Sequence, residues 1–370
     1  MLGALLVLGV WWAFLRPPPC EPNEYTGTML GYLAAYREPC AVFTWDPRDP
    51  GYPQHTIRYN NFGMHDEITT FAKPDGLTRI LILGDSYPQG LQVPREQGFP
   101  DLLETRLNDE GNGRYEVVNL AIDTIGTDRM LMMYALVGYR FEADLVLLVT
   151  YVGNDIQNNS IELAALRNEG YQPRPFFKLD EADNLRLFNW TGTFPEGDAP
   201  ALSWLRRARV SRAYPVELPS TPAILNPAPY TLAYPVQLGL YLPPDDLWRE
   251  AWAISGAILS QFAGLAPAQG SELGVVVIPD RRAVHPADYD ATRRAYPIVG
   301  AFDAQAPVLQ TVEQAQAAGI PTFNALPTLS IIDRAGGRAY LPLDGHLSPE
   351  GHRALADALF RWLRATYPAL

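Results

Sequence analysis

The chain has 370 residues, 47% apolar and 19% charged, the balance of a globular protein long enough for one elaborated domain or two smaller ones. A net charge of −12, with no stripe of clustered Lys and Arg, excludes a nucleic-acid partner, because phosphate binding needs concentrated positive charge. With only Cys20 and Cys40 present, a four-cysteine zinc site and a cysteine nucleophile in the body of the chain are excluded as well.

Residues 2–15 are an unbroken apolar run, shorter than the roughly 20 residues a bilayer span needs. No small-x-small cleavage site follows; Arg16 leads into Pro17-Pro18-Pro19 instead. The expectation is an uncleaved membrane anchor over 1–16, holding the rest of the chain outside the cytoplasm; a hydrophobic core helix is the plainer alternative. Residues 17–78 form a proline-rich extension of ordered loops. Cys20 and Cys40 pair if the compartment is oxidising and are two free thiols otherwise, and both readings stay open. His55 and His65, also in the extension, are most simply surface or packing residues.

From residue 79 the pattern becomes strand–helix alternation. Strands are expected at 79–83, 115–120, 144–151, 274–278 and 320–324. Helices are expected at 94–108, 127–138, 246–265 and 307–318, with a last one at 348–366 that has Ser348 as N-cap and Pro349 at its first position. The third strand, D-L-V-L-L-V-T-Y, is apolar on both faces and therefore central in a parallel sheet. Five strands linked by helices imply a three-layer, doubly wound α/β fold over 79–370. An insertion at about 157–244, rich in Pro and aromatics (Trp190, Trp204, Tyr214, Tyr230, Tyr234, Tyr241), interrupts the rhythm. It reads either as a cap over the strand ends or as an edge-covering extension without a ligand.

Three short segments carry the chemistry. Ile80–Leu83 runs into Gly84-Asp85-Ser86, which puts a hydroxyl at the carboxyl end of a strand, where sites of open α/β sheets lie. Ser86 is the candidate nucleophile; the bland reading is a serine capping a turn. Asp344-Gly345-His346 supplies an acid and an imidazole, with His346 the candidate base and Asp344 its orienting carboxylate. His352 falls in the first turn of the last helix and packs or caps there; position alone leaves His285 open. Gly153-Asn154-Asp155 follows the third strand, and the Asn154 amide can donate to an oxyanion beside the Ser86 N–H, with Asp155 fixing the loop. The five histidines show no metal-like spacing, so neither a metal nor any other cofactor is expected.

In this order on a five-stranded pattern, G-D-S (84–86), G-N-D (153–155) and D-G-H-L-S-P-E-G-H (344–352) resemble the SGNH/GDSL hydrolase superfamily. The resemblance covers 79–366 apart from the insertion and implies a flavodoxin-like fold. It also implies a Ser86–His346–Asp344 triad and an oxyanion hole built from Ser86, a second-block residue and Asn154. The Asp-x-His spacing is similar to that of the envelope polysaccharide O-acetyltransferase branch and of some bacterial esterases. One position departs: the second block reads Asn119-Leu-Ala-Ile-Asp-Thr-Ile-Gly-Thr127, so Thr124 stands where the family's oxyanion glycine is expected, with Gly126 as a substitute. A β-branched residue there restricts the backbone and crowds the pocket. Arg58-Tyr-Asn-Asn-Phe-Gly63 looks like a segment preceding the first block in bacterial members and reads as structural. The resemblance implies a serine-dependent esterase acting on a carbohydrate or small-molecule ester. O-acetyl transfer with the same triad and a catalytically silent carbohydrate-binding relative are the alternatives.

Overall fold

A computed structural model describes residues 20–23, 38–47, 49, 51–110, 113–166, 174–212, 214, 236–296 and 302–370. The anchor expected over 1–16 lies outside these residues, as do Tyr230 and Tyr234 of the insertion.

Two short strands, β1 (Val42–Trp45) and β2 (His55–Arg58), pair as an antiparallel hairpin in the extension. The central sheet is parallel and five-stranded: β3 (Leu77–Leu83), β4 (Arg114–Asn119), β5 (Leu145–Tyr151), β8 (Glu272–Ile278) and β9 (Thr322–Asn324). A second hairpin, β6 (Phe176–Leu179) with β7 (Leu185–Phe188), belongs to the insertion. The central order is β4-β3-β5-β8-β9, or 2-1-3-4-5 counting within the sheet. That order reverses between β3 and β5, which are paired from Ile80↔Leu145 to Leu83↔Leu148. The crevice at such a reversal is where doubly wound sheets bind ligands. Ser86 and Asn154 follow the two strands that flank it.

The apolar runs explain the layering. Ile80–Leu83, Leu145–Val149 and Val275–Ile278 are buried on both faces, as central parallel strands must be. One group of helices (Phe99–Glu110, Leu326–Arg334 and Pro349–Thr366) packs together, and a second comprises Thr127–Leu136, Asp246–Ala268 and Ala306–Ala317. Asp246–Ala268 is the one helix among the described residues long and apolar enough to cross a membrane, but Ile254, Ile258 and Phe262 on it are buried in the core. Its start is set by Asp245, whose carboxylate accepts from the Trp248 N–H.

Several sequence expectations need correction. The helix placed at 94–108 is broken at Gly98, whose extended backbone separates a 3-10 turn at Arg95–Gln97 from the helix Phe99–Glu110. Helices at Arg281–Val284, Pro286–Ala295 and Leu326–Arg334 were not anticipated; each is short. The insertion is less irregular than its composition suggests, since it holds the β6–β7 hairpin and a helix at Pro200–Ala208. Its aromatics turn inward: Trp190 stacks on Phe194, Trp204 packs on Phe177, Tyr214 sits against Phe176 and Phe188, and Tyr241 is buried. Cys20 and Cys40 are joined in a disulfide, which ties the start of the extension to the turn before β1.

Candidate active site

The turn that carries Ser86 is built by close packing. A Cβ on Gly84 would lie 2.3 Å from Cγ of Pro88, so only glycine lets the chain leave β3 this sharply. Asp85 then caps a single helical turn, Ser86–Gln89, by accepting from the Tyr87 N–H at 3.0 Å. Its other oxygen accepts from the Asn154 side-chain amide at 3.1 Å. That contact fixes which end of the Asn154 amide is nitrogen, because a carboxylate can only accept.

At the end of β5, a Cβ on Gly153 would sit 2.5 Å from the Tyr151 ring, which accounts for the glycine before Asn154. Asp155 is buried and accepts from the Tyr151 N–H at 3.0 Å, so it fixes this loop as expected from sequence. The third segment is a tight turn: Leu341 N–H donates to His346 O at 2.8 Å and Gly345 N–H to Leu341 O at 3.0 Å. Gly345 has φ +87°, a backbone that side-chain-bearing residues rarely adopt. Ser348 follows as the N-cap of Pro349–Thr366, accepting from Gly351 N–H at 3.0 Å.

These three segments meet. His346 Nδ1 is hydrogen-bonded to Asp344 Oδ1, and the Ser86 hydroxyl lies 2.8 Å from His346 Nε2. With Nδ1–H donating to the carboxylate, Nε2 is left as acceptor for the serine proton. Burial pushes the Asp344 carboxyl up, but the hydrogen bond and charge of His346 outweigh it and hold it below its usual value. Asp85 moves the other way, to about 6, because it is fully buried; its bonds from Tyr87 and Asn154 offset only part of that cost. Burial, and then the charge of Asp85, raise the Asp155 carboxyl well above its ordinary value.

A cavity of about 500 Å³ opens on the group, lined by Ser86, Thr124, Asn154, Asp344 and His346 together with Trp45, Gln89, Gln92, Gln237, Arg281 and others. All five sequence-chosen site residues therefore border one space. Thr124 has φ +66° and its carbonyl accepts from the Arg129 guanidinium. Gly126 does not line the cavity; it caps the helix Thr127–Leu136 and is crowded by Asn158 and Asn159. Of the described insertion, Gln157 and Gln237 reach this space, and none of its Trp or Tyr side chains named above does.

The other histidines are accounted for by packing. His352 is buried, accepts from the Phe99 N–H at 3.1 Å, and is held neutral by burial, its pKa lowered to about 3. His65 donates to Gln89 O at 2.8 Å and is likewise lowered to about 4 by burial. His55 bonds to Leu91 O, and His285 pairs with Asp333 away from the cavity. Among the described residues no group of three or more His, Cys, Asp or Glu is placed to hold a metal.

Sequence reasoning missed the residues that hold the His346 loop. The Asp49 carboxylate, from the extension, accepts from the N–H groups of Leu343 at 2.6 Å and Asp344 at 2.8 Å. Arg281 donates to Pro342 O at 3.0 Å, and the Tyr87 hydroxyl donates to Gly345 O at 3.0 Å. No local signal marks Asp49, because its partners lie almost 300 residues further along the chain.

A family profile described as the SGNH hydrolase-like domain of acetyltransferase AlgX matches residues 249–370, the part that carries Asp344 and His346. No curated protein matches the sequence significantly. Distant likeness extends to several solved structures. TesA is 16% identical, with 79% of this chain and 100% of that one covered and a TM-score of 0.40. The acetyl xylan esterase AlAXEase is 11% identical, with 76% and 98% covered and a TM-score of 0.41. A lipase/acylhydrolase from Enterococcus faecalis is 12% identical, with 78% and 96% covered and a TM-score of 0.39. Residues 249–370 are thus similar to an SGNH hydrolase-like domain, and the 2-1-3-4-5 parallel sheet with the three motifs at its strand ends agrees with the resemblance read from the sequence.

Proposed function

We propose that the protein is a serine-dependent acyl-transferring enzyme that hydrolyses an ester of a carbohydrate or small molecule. The observation that carries this is the unbroken line Ser86 Oγ, His346, Asp344 at the rim of one cavity. Ser86 Oγ attacks the ester carbonyl carbon while His346 Nε2 takes its proton; Asp344 steadies the imidazolium that forms. The carbonyl oxygen becomes an oxyanion facing the N–H groups of Ser86 and Thr124 and the Asn154 amide, whose second proton is free of Asp85. His346 then protonates the departing alcohol, water attacks the acyl-serine, and the carboxylic acid leaves.

O-acetyl transfer is the second reading, favoured by the profile match over 249–370. Its first half-reaction is identical, and a sugar hydroxyl replaces water in the second. Trp45, half-buried on the cavity wall, offers an aromatic surface to a sugar face, in place of the insertion's inward-turned rings. The Cys20–Cys40 disulfide supports a location outside the cytoplasm, with residues 1–16 as the anchor. Membrane fractionation of the full chain tests that placement, and recovery as a soluble cytoplasmic protein contradicts it.

Labelling with a fluorophosphonate probe tests the nucleophile. Ser86→Ala should abolish labelling and cut hydrolysis of p-nitrophenyl acetate by several orders of magnitude. Persistent labelling would mean another nucleophile, and no labelling of the unaltered protein would favour a silent binding relative. Product partition with and without a sugar acceptor separates the two enzymatic readings: free acetate in both means hydrolase, acetylated sugar means transferase.

A further inference from the structure

Tyr87 follows the nucleophile directly and is 3% exposed. Its hydroxyl reaches across the site to the carbonyl of Gly345. That carbonyl belongs to the same peptide unit as the His346 N–H, and this N–H donates to Asp344 Oδ1 at 3.1 Å. One peptide plane is thus held at both ends, by Tyr87 on its oxygen and by the Asp344 carboxylate on its nitrogen. Glycine at 345 leaves that plane free to rotate if either hold is lost. Rotation would withdraw the N–H from Asp344 and swing the imidazole that follows.

The tyrosine ring is itself immobilised. It stacks on Tyr151 with centroids 3.8 Å apart, and the Tyr151 hydroxyl donates to Asp280 Oδ2 at 2.8 Å. The two hydroxyls also lie within hydrogen-bonding reach of each other, so the stack and this contact together couple the two rings. The centroids of the Tyr87 and His346 rings are 4.9 Å apart. The ends of β3, β5 and β8 and the loop before the last helix are all joined through this one side chain.

We infer that Tyr87 is a positioning residue, which sets the distance from Ser86 to His346 by pinning the Gly345–His346 peptide. The inference rests on reading Ser86 as nucleophile and His346 as base. The competing view is that Tyr87 is a packing aromatic whose hydroxyl found a convenient acceptor, as buried tyrosines do.

Tyr87→Phe separates the two, since it keeps the ring, the stack and the burial and removes only the hydroxyl. On p-nitrophenyl acetate, kcat should fall about tenfold, the scale of one net hydrogen bond, with KM within about twofold. The His346 Nδ1 proton resonance should also shift, which reads the imidazole's place independently of turnover. A kcat within about twofold of the unaltered protein, or an unmoved resonance, overturns the inference, as does a change confined to KM or to the melting temperature. Failure of the functional reading looks different: activity then survives Ser86→Ala. Serine-dependent activity with a normal Tyr87→Phe variant removes this inference alone.

Discussion

At Thr124 a β-branched residue occupies a left-handed backbone conformation, φ +66°, on the rim of the site. Such a conformation costs an L-residue roughly 1–2 kcal/mol, and glycine would relieve it at an entropic cost of about half to one kcal/mol in the unfolded chain. The Arg129 guanidinium on the Thr124 carbonyl explains how the strain is held. The conformation directs the backbone as a glycine would, so the departure from the family pattern lies in the side chain. Thr124→Gly should therefore leave stability unchanged or raise it by up to about 1 kcal/mol. It should keep kcat within about threefold or increase it as the methyl and hydroxyl leave the cavity. Thermal melts and initial rates check both; a large loss of turnover would show that the threonine side chain itself takes part.

Among elements, the loop carrying Asp344 and His346 is the least self-sufficient. Two backbone bonds close its turn, but Asp49, Arg281 and Tyr87 hold its outward-facing groups from the extension, a short helix after β8 and the turn after β3. Asp49 is 4% exposed, so removing its carboxylate strands two backbone donors in a site poorly reached by water. Asp49→Ala should cost about 1–3 kcal/mol of stability and lower kcat by about tenfold or more. Asp49→Asn, with one acceptor oxygen left, should fall between it and the unaltered protein. Urea denaturation beside steady-state rates measures this, and full activity in Asp49→Ala would mean that the loop holds itself.

At the scale of the whole molecule, buried ionisable groups shape stability against pH. His65 and His352 are kept neutral in the fold, lowered to about 4 and about 3, whereas the unfolded chain protonates them near 6.5. The unfolded state then binds protons that the native state refuses. Their stabilising effect is complete above pH 6.5 and is lost as pH falls towards 4 for His65 and 3 for His352. Buried carboxylates act in the opposite sense. Asp85 and Asp101 are raised by burial to about 6 and about 7, so their contribution is present at low pH and lost as pH rises through those values. A difference measurement isolates one group: His352→Gln should shrink the stability lost between pH 7 and 4 by a few kcal/mol at most. Equal pH slopes in the two proteins would show that His352 is not neutral in the fold.

The sequence by itself determined the sheet and the placement of the three motif turns at its strand ends. Runs such as Ile80–Leu83 and Leu145–Val149 are buried on both faces, and continuous apolar patterning has few other solutions. Gly84, Gly153 and Gly345 belong to the motifs read from the sequence, and the structure gives the reason for them: tight turns and close contacts, at the turns that carry Ser86, Asn154 and the Asp344–His346 pair. That His346 rather than His352 lies against Ser86 was also legible, since the helix start at Ser348 leaves His346 on the preceding loop and puts His352 inside the helix. Tertiary structure alone decided what holds these residues in place and what walls the cavity. Asp49, Tyr87 and Trp45 meet the site through contacts whose sequence separation erases any local pattern. The insertion shows the converse: aromatic composition signals burial, but only packing decides whether the rings face a ligand or, as here, the protein's own core.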